Sequence, residues 1–92
     1  MNPIEKIAEH YGLNSQLLKL AEEAAEVAQA ALKYQRTLSQ SAFEHLCEEL
    51  ADFEIVREQV ELLRSGIFEQ EQIYKRFKID REIHRLKMDA EE

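Results

Sequence analysis

Apolar residues recur at the spacing of an α-helix along most of the chain, and they predict where its helices lie. Between about residues 16 and 34 they form one broad apolar face, which consists of Leu17, Leu20, Ala21, Ala24, Val27, Ala28 and Ala31. A second series at helical spacing consists of Phe43, Leu46, Leu50, Phe53, Val56, Val60 and Leu63. One proline and two glycines are the only strong breakers in 92 residues. The pattern therefore predicts an all-α fold.

Capping residues divide this pattern into four predicted helices. Asn2 is a suitable N-cap for a first short helix, which is expected to end at Gly12. The second helix runs from about residue 16 to about residue 34. Ser41, with Glu44 three residues later, forms a capping box for the third helix, and Gly66 marks its end.

The fourth helix is predicted from about Glu69 to about Met88, with a frayed tail at residues 89–92. Its apolar residues fall into two stripes, which favours either contacts on two sides or packing partly on another subunit. The stripes are Ile73 and Phe77, and Ile79, Ile83 and Leu86. A chain this short buries little surface alone. We therefore expect a single domain, 1–92, forming an antiparallel helical bundle completed by a homodimer or a homotetramer.

The formal net charge of −7 makes a nucleic-acid polymer an unfavourable partner, because its phosphates would be repelled. Six of the 12 Lys and Arg residues nevertheless lie between positions 75 and 87. No apolar run reaches membrane-spanning length, and no signal peptide is recognisable. The single cysteine excludes an intrachain disulfide. A cytoplasmic location without membrane attachment is the resulting expectation.

Carboxylates three residues apart form a pair on each of the two central helices. Glu23 pairs with Glu26, and Glu49 pairs with Asp52. The short polar turn between these helices predicts that they are antiparallel neighbours, so the two pairs would form a cage of four carboxylates. Oxygen ligands of this kind suit Mg²⁺, with Mn²⁺ as a possible substitute.

The apolar neighbours of these acids place Glu23 and Glu49 on or beside the inward faces of their helices. A carboxylate there needs a counter-charge, because burial and like-charge repulsion both oppose its ionisation. A cation would supply that charge, and so would Lys19, one turn before Glu23. The alternative interpretation is a solvated acidic face, which is the commoner meaning of clustered Glu residues.

The two acidic blocks are Glu22-Glu23-Ala24-Ala25-Glu26 and Glu49-Leu50-Ala51-Asp52. In this order and spacing they resemble the Glu-Glu-x-x-Glu … Glu-x-x-Asp signature of the MazG-like all-α nucleoside triphosphate pyrophosphohydrolases. The stretch from Phe77 to Arg81, followed by Arg85, is similar to the basic part of that family's last helix. The resemblance covers roughly residues 15 to 88.

The resemblance implies a site and an activity. The metal ligands would be Glu23, Glu26, Glu49 and Asp52, which with Glu22 as a helper would form the catalytic set. The implied reaction is Mg²⁺-dependent hydrolysis of a (deoxy)nucleoside triphosphate to the monophosphate and pyrophosphate, in the control of nucleotide pools. The basic residues expected to bind the triphosphate are Lys19, Lys78, Arg81 and Arg85.

A second hypothesis comes from a different functional class. The chain could be a non-catalytic helical oligomerisation or regulatory module whose acidic residues face solvent. Stabilisation by divalent metal and release of pyrophosphate distinguish the two hypotheses.

Overall fold

The structure, a computed structural model, describes residues 1–91, which form three α-helices and no strand. Helix α1 spans Pro3–Thr37, helix α2 spans Gln40–Leu63 and helix α3 spans Ile67–Glu91. The all-α prediction is confirmed. The predicted number of four helices is not confirmed, because the first two predicted helices are joined in α1 across a kink at Gly12.

Helix α1 changes direction at Gly12. This residue has φ 84° and ψ 168°, a non-helical conformation inside the helix that residues with a side chain rarely adopt. The predicted break is therefore present, but the helix resumes at once and no loop separates two helices. Asn2 caps the start as predicted, because its side-chain oxygen accepts a hydrogen bond of 2.8 Å from the Glu5 backbone N–H.

The link between α1 and α2 is shorter than the sequence predicted. Helix α1 continues to Thr37, and Leu38 adopts the left-handed conformation with φ 51°. Ser39 then caps α2 by accepting a hydrogen bond of 3.2 Å from the Ala42 backbone N–H. The prediction that Ser41 is the cap is wrong, because Ser41 already lies in the first turn of α2.

Helices α1 and α2 form an antiparallel hairpin. Tyr34 packs against Phe43 near the turn, with 5.7 Å between ring centroids, and Gln16 bonds Gln59 at the other end. The seam between the helices follows alternating steps of four and three residues, as in a coiled coil. On α1 it comprises Gln16, Leu20, Glu23, Val27, Ala30 and Tyr34, all buried or half-buried. On α2 it comprises Ala42, Leu46, Glu49, Phe53, Val56, Val60 and Leu63.

Only part of the predicted apolar face of α1 is covered by α2. Leu20 and Val27 are half-buried in the seam, whereas Leu17 is 45% exposed. Ala21, Ala24, Ala28 and Ala31 are also exposed. One neighbouring helix covers a narrow strip of another helix, so the rest of this broad face has no cover within residues 1–91.

Helix α3 is attached to the hairpin near its own start. Arg57 forms an ion pair with Glu71, and its guanidinium lies 5.7 Å from the centre of the Phe68 ring. The bond to Glu71 raises the pKa of Arg57 above its ordinary value. Glu61 accepts hydrogen bonds from the backbone N–H groups of Gly66, at 3.1 Å, and Phe68, at 2.9 Å. These contacts fix the direction in which α3 leaves the hairpin.

Beyond that attachment α3 is exposed, and none of its residues is buried. The helix runs through Glu91, the fraying of residues 89–92 stays a prediction, and the remaining residue lies outside the described part. The radius of gyration is 17.2 Å, against about 12 Å for a compact domain of this length. No apolar stretch of the three helices is long enough to cross a bilayer.

Candidate metal centre and adjoining cleft

Two carboxylates occupy seam positions between α1 and α2, where a coiled coil normally carries apolar residues. Glu23 is 5% exposed, and the Glu49 side chain is 15% exposed. Seven-residue spacing relates Glu23 to Gln16 and Ala30, the other buried residues of this stretch of α1. The prediction that both acids lie on inward faces is confirmed by their burial.

Asp52 completes a cluster of three carboxylates with Glu23 and Glu49. One oxygen from each lies within 4.8 Å of one oxygen from each of the others. Asp52 is exposed and lies on the solvent side of the cluster, whereas Glu23 is buried and lies on its inner side. The antiparallel hairpin causes this convergence, since it places the middle of α1 opposite the middle of α2.

Two oxygen atoms of the cluster are buried without a hydrogen-bond partner. They are Oε2 of Glu23 and Oε2 of Glu49, and no group within residues 1–91 donates to either. A buried polar atom left without a partner costs about 1–3 kcal/mol, and more when it is charged. Both atoms are therefore available to a cation bound between the helices.

The other oxygens of these two carboxylates have basic neighbours. Lys19 Nζ lies 3.2 Å from Glu23 Oε1 and 3.8 Å from Glu22 Oε2. The hydrogen bond to Glu23 raises the pKa of Lys19, and the charges of the nearby carboxylates add to that effect. His45 Nε2 lies 3.7 Å from Glu49 Oε1. The predicted pairing of Lys19 with Glu23 is confirmed, and one lysine leaves most of the cluster's charge uncompensated.

The donor set suits a hard divalent cation. All three groups offer carboxylate oxygen, which Mg²⁺ and Mn²⁺ accept. Ligands around Mg²⁺ lie at about 2.1 Å, so two of its ligand oxygens are at most about 4.2 Å apart. The separations within the cluster exceed this limit by at most about 0.6 Å.

The structure does not bring every predicted ligand together. Glu26 is exposed and lies outside the group formed by Glu23, Glu49 and Asp52. Glu22 is also exposed, and it lines the cleft beside the cluster. The cage of four predicted from the sequence is thus a cluster of three in this chain, with Glu26 one turn further along α1.

The basic residues predicted to bind phosphate are divided between two places. Lys19 lies at the cluster. Lys78, Arg81 and Arg85 are exposed on α3, and the cleft beside the cluster is lined by α1 and α2 alone. Arg85 forms an exposed ion pair of 3.3 Å with Glu82 on its own helix.

A cleft of about 730 Å³ opens beside the cluster on the same side of the hairpin. Glu22, Glu23 and Asp52 lie at one end of it, and Ile7 and Tyr11, on the N-terminal side of the Gly12 bend, lie at the other. Between these ends Gln16 Nε2 donates a hydrogen bond to Gln59 Oε1, and both side chains are buried. The sequence prediction missed this amide pair. The sequence feature that could have indicated this pair is the glutamine at a seam position seven residues before Glu23.

Comparison of the chain with family models, with curated proteins and with solved structures finds no match in any of the three.

Proposed function

We propose that the chain is a divalent-metal-dependent pyrophosphohydrolase of nucleoside triphosphates, with Mg²⁺ held by Glu23, Glu49 and Asp52. The observation that carries the proposal is the pair of buried carboxylate oxygens, on Glu23 and Glu49, that have no partner within residues 1–91. Solvated acids would not be buried at seam positions. The resemblance of the two acidic blocks to the MazG-like signature supports the class of reaction, which is hydrolysis of a nucleoside triphosphate to the monophosphate and pyrophosphate.

The side chains around the cluster have distinct roles in this proposal. A bound cation supplies neutralisation of phosphate oxygens and a more acidic water. Glu23 and Glu49 fix the position of the site, because their helices hold them in the seam. Glu22, exposed at the edge of the cleft, orients a water or a ligand, and Glu26 is available to a second cation. Lys19 contributes positive charge toward the triphosphate.

The proposal includes a homo-oligomer, because one chain leaves too much apolar surface uncovered. The accessible surface is 7389 Å², whereas a monomeric protein of 10.8 kDa exposes about 5,500 Å². The excess for one chain is roughly twice the area of about 800 Å² that each partner buries in a standard protein–protein interface. Buried apolar residues are only Ala8, Ala30, Ala42, Val56 and Val60 among those described. Association of two or four chains would supply the missing core.

Charge supports an arrangement in which α3 contacts a second copy. Residues 1–66 carry six basic and twelve acidic residues, whereas residues 75–87 carry six basic and two acidic ones. Attraction between these segments of different copies would bring Lys78, Arg81 and Arg85 toward a partner's acidic hairpin. They would there be available to bind a triphosphate. A cytoplasmic location, where nucleotides and Mg²⁺ occur, is part of the proposal.

Two measurements test the proposed function. Mn²⁺ or Mg²⁺ should raise the melting temperature of the wild-type protein, because the cation binds the folded cluster and not the unfolded chain. A screen of canonical and modified nucleoside triphosphates with Mg²⁺ should detect release of pyrophosphate. Glu49→Gln and Asp52→Asn should each abolish the thermal shift and reduce the rate of release at least a hundredfold.

Glu48→Gln is the matched control, since Glu48 is the exposed neighbour of Glu49 and lies outside the cluster. It changes the net charge by the same amount and should leave both readouts near wild type. A wild-type protein that neither binds divalent metal nor releases pyrophosphate would exclude the enzyme. The exposed apolar surface would then favour the oligomerisation or regulatory module.

A further inference from the structure

The cleft beside the carboxylate cluster offers a second kind of chemistry along its length. Its charged groups lie at one end, whereas Ile7, Tyr11, Leu18 and Ile55 give the remainder an apolar and aromatic lining. Its volume of about 730 Å³ falls within the range of small-molecule sites. Binding of a metal ion by carboxylates does not by itself account for this apolar extension.

The Gln16–Gln59 pair keeps unused hydrogen-bonding capacity. Gln16 Nε2 donates to Gln59 Oε1, which leaves the Gln16 carbonyl oxygen and the Gln59 amide N–H groups. Within residues 1–91 neither of these groups has another side-chain or backbone partner. The pair thus presents an acceptor beside a donor. The Watson–Crick edge of every nucleobase carries a donor and an acceptor side by side, which is the complementary arrangement.

The ring of Tyr11 supplies a face for stacking. It is 59% exposed, and its contact with His10 is edge-on, at 4.7 Å between ring centroids. Stacking of an aromatic side chain on a base is worth about 1–3 kcal/mol and tolerates any base. The cleft therefore joins an aromatic face and an apolar wall to a polar pair.

The spacing along α1 matches the dimensions of a nucleotide. Gln16 lies seven residues before Glu23, which is two helical turns or about 10 Å. That separation accommodates a ribose between a phosphate at the carboxylates and a base at the amides. On these grounds we propose that the cleft is a nucleobase-binding subsite, with Gln16 and Gln59 at the base edge and Tyr11 on its face. The inference rests on the proposed function for the position of the phosphates.

The test compares binding of a nucleotide with binding of its phosphate chain alone. The probes are the four deoxynucleoside 5′-(α,β-imido)triphosphates, which resist hydrolysis, and inorganic tripolyphosphate, each titrated calorimetrically with Mn²⁺. We expect the wild-type protein to bind at least one imido nucleotide tenfold or more tightly than tripolyphosphate. The double substitution Gln16→Leu with Gln59→Leu should reduce this advantage to threefold or less, with little change for tripolyphosphate.

Replacing both amides leaves no buried donor without its partner, so the double variant should fold. Tyr11→Ala provides a second test at an exposed position and should reduce the advantage at least fivefold. Tyr74→Ala is its matched control, because Tyr74 is 60% exposed on α3 and lies outside the cleft. It should leave the nucleotide advantage unchanged.

The outcomes separate this inference from the proposed function. Base-dependent binding without release of pyrophosphate supports the subsite and contradicts the hydrolysis. Pyrophosphate release combined with equal binding of nucleotide and tripolyphosphate overturns the subsite and leaves the hydrolysis standing. If both Tyr11→Ala and the double variant keep the full preference for an imido nucleotide over tripolyphosphate, the subsite is also overturned. A wild-type protein that binds none of the probes overturns the subsite as well.

Discussion

Glu23 and Glu49 lie where the hairpin would gain most from apolar side chains. Each contributes a buried oxygen that receives no hydrogen bond within the described residues, and the nearby Lys19 contacts only the other oxygen of Glu23. Repulsion between the two carboxylates and Asp52 adds to the cost of desolvation. The hairpin without metal is therefore less stable than the same hairpin with one of these charges removed.

Glu49→Gln is therefore expected to stabilise the metal-free protein. The free energy of unfolding should rise by about 1 kcal/mol, because one of three neighbouring charges is lost while the shape is kept. The melting temperature should then rise by about 4–8 °C, measured by circular dichroism in EDTA at low ionic strength. Glu48→Gln, at the exposed neighbouring position, should change the stability by less than about 0.5 kcal/mol. A less stable Glu49→Gln protein in EDTA would contradict the unpartnered state of Glu49 Oε2.

The candidate site was predictable from the sequence in its acidic part and not in its polar and aromatic part. Spacing of three residues identifies Glu49 with Asp52, since both belong to one helix. The pairing of Gln16 with Gln59 depends on the register of the hairpin, which the link at Leu38 and Ser39 sets. The hydrophobic pattern of each helix, taken separately, does not determine how α1 and α2 are aligned against each other.

At the scale of the element, the bend at Gly12 decides the shape of α1. It aims the first turns of the helix, which carry Ile7 and Tyr11, so that they line the cleft together with α2. A Cβ added at Gly12 would meet no atom within 4 Å. The requirement for glycine there thus comes from the backbone conformation alone.

Gly12→Ala should destabilise the protein by about 1–3 kcal/mol, the usual strain for a residue with a side chain in this part of φ/ψ space. Urea unfolding followed by circular dichroism measures the change. Ser15→Ala is the control, because Ser15 is exposed in the regular helix that follows the bend, and it should be nearly neutral. Increased stability together with increased helicity in Gly12→Ala would mean that the bend is dispensable for folding.

The positions of the helices follow from the sequence pattern more closely than their ends do. The prediction of a break at Gly12 is correct, because only that residue readily takes the required conformation. The cap of α2 was assigned to Ser41 instead of Ser39, since both serines satisfy the local requirement. The choice between them follows from how far α1 extends, and packing of Tyr34 on Phe43 accompanies the longer helix.

At the scale of the whole molecule, the apolar residues of α3 make a specific prediction about association. Phe77 is 70% exposed in the single chain. Phe77→Glu should convert a wild-type dimer or tetramer into a smaller species, because a charge would have to be buried in the interface. Size-exclusion chromatography with light scattering measures the mass. Phe77→Leu keeps an apolar side chain and should retain the wild-type mass, whereas a strictly monomeric wild-type protein would contradict the proposed assembly.

Helix α3 contacts the hairpin near its own first turn, so a small rotation there displaces the far end of α3 by a much larger distance. Its 25 residues span about 37 Å, and its contacts with the hairpin lie near its first turn. A rotation of about 10° at Gly66 would carry the far end about 6 Å, by the same helix geometry. The ion pair of Arg57 with Glu71 lies close to the pivot, so small adjustments of that pair translate into large displacements of Arg81 and Arg85.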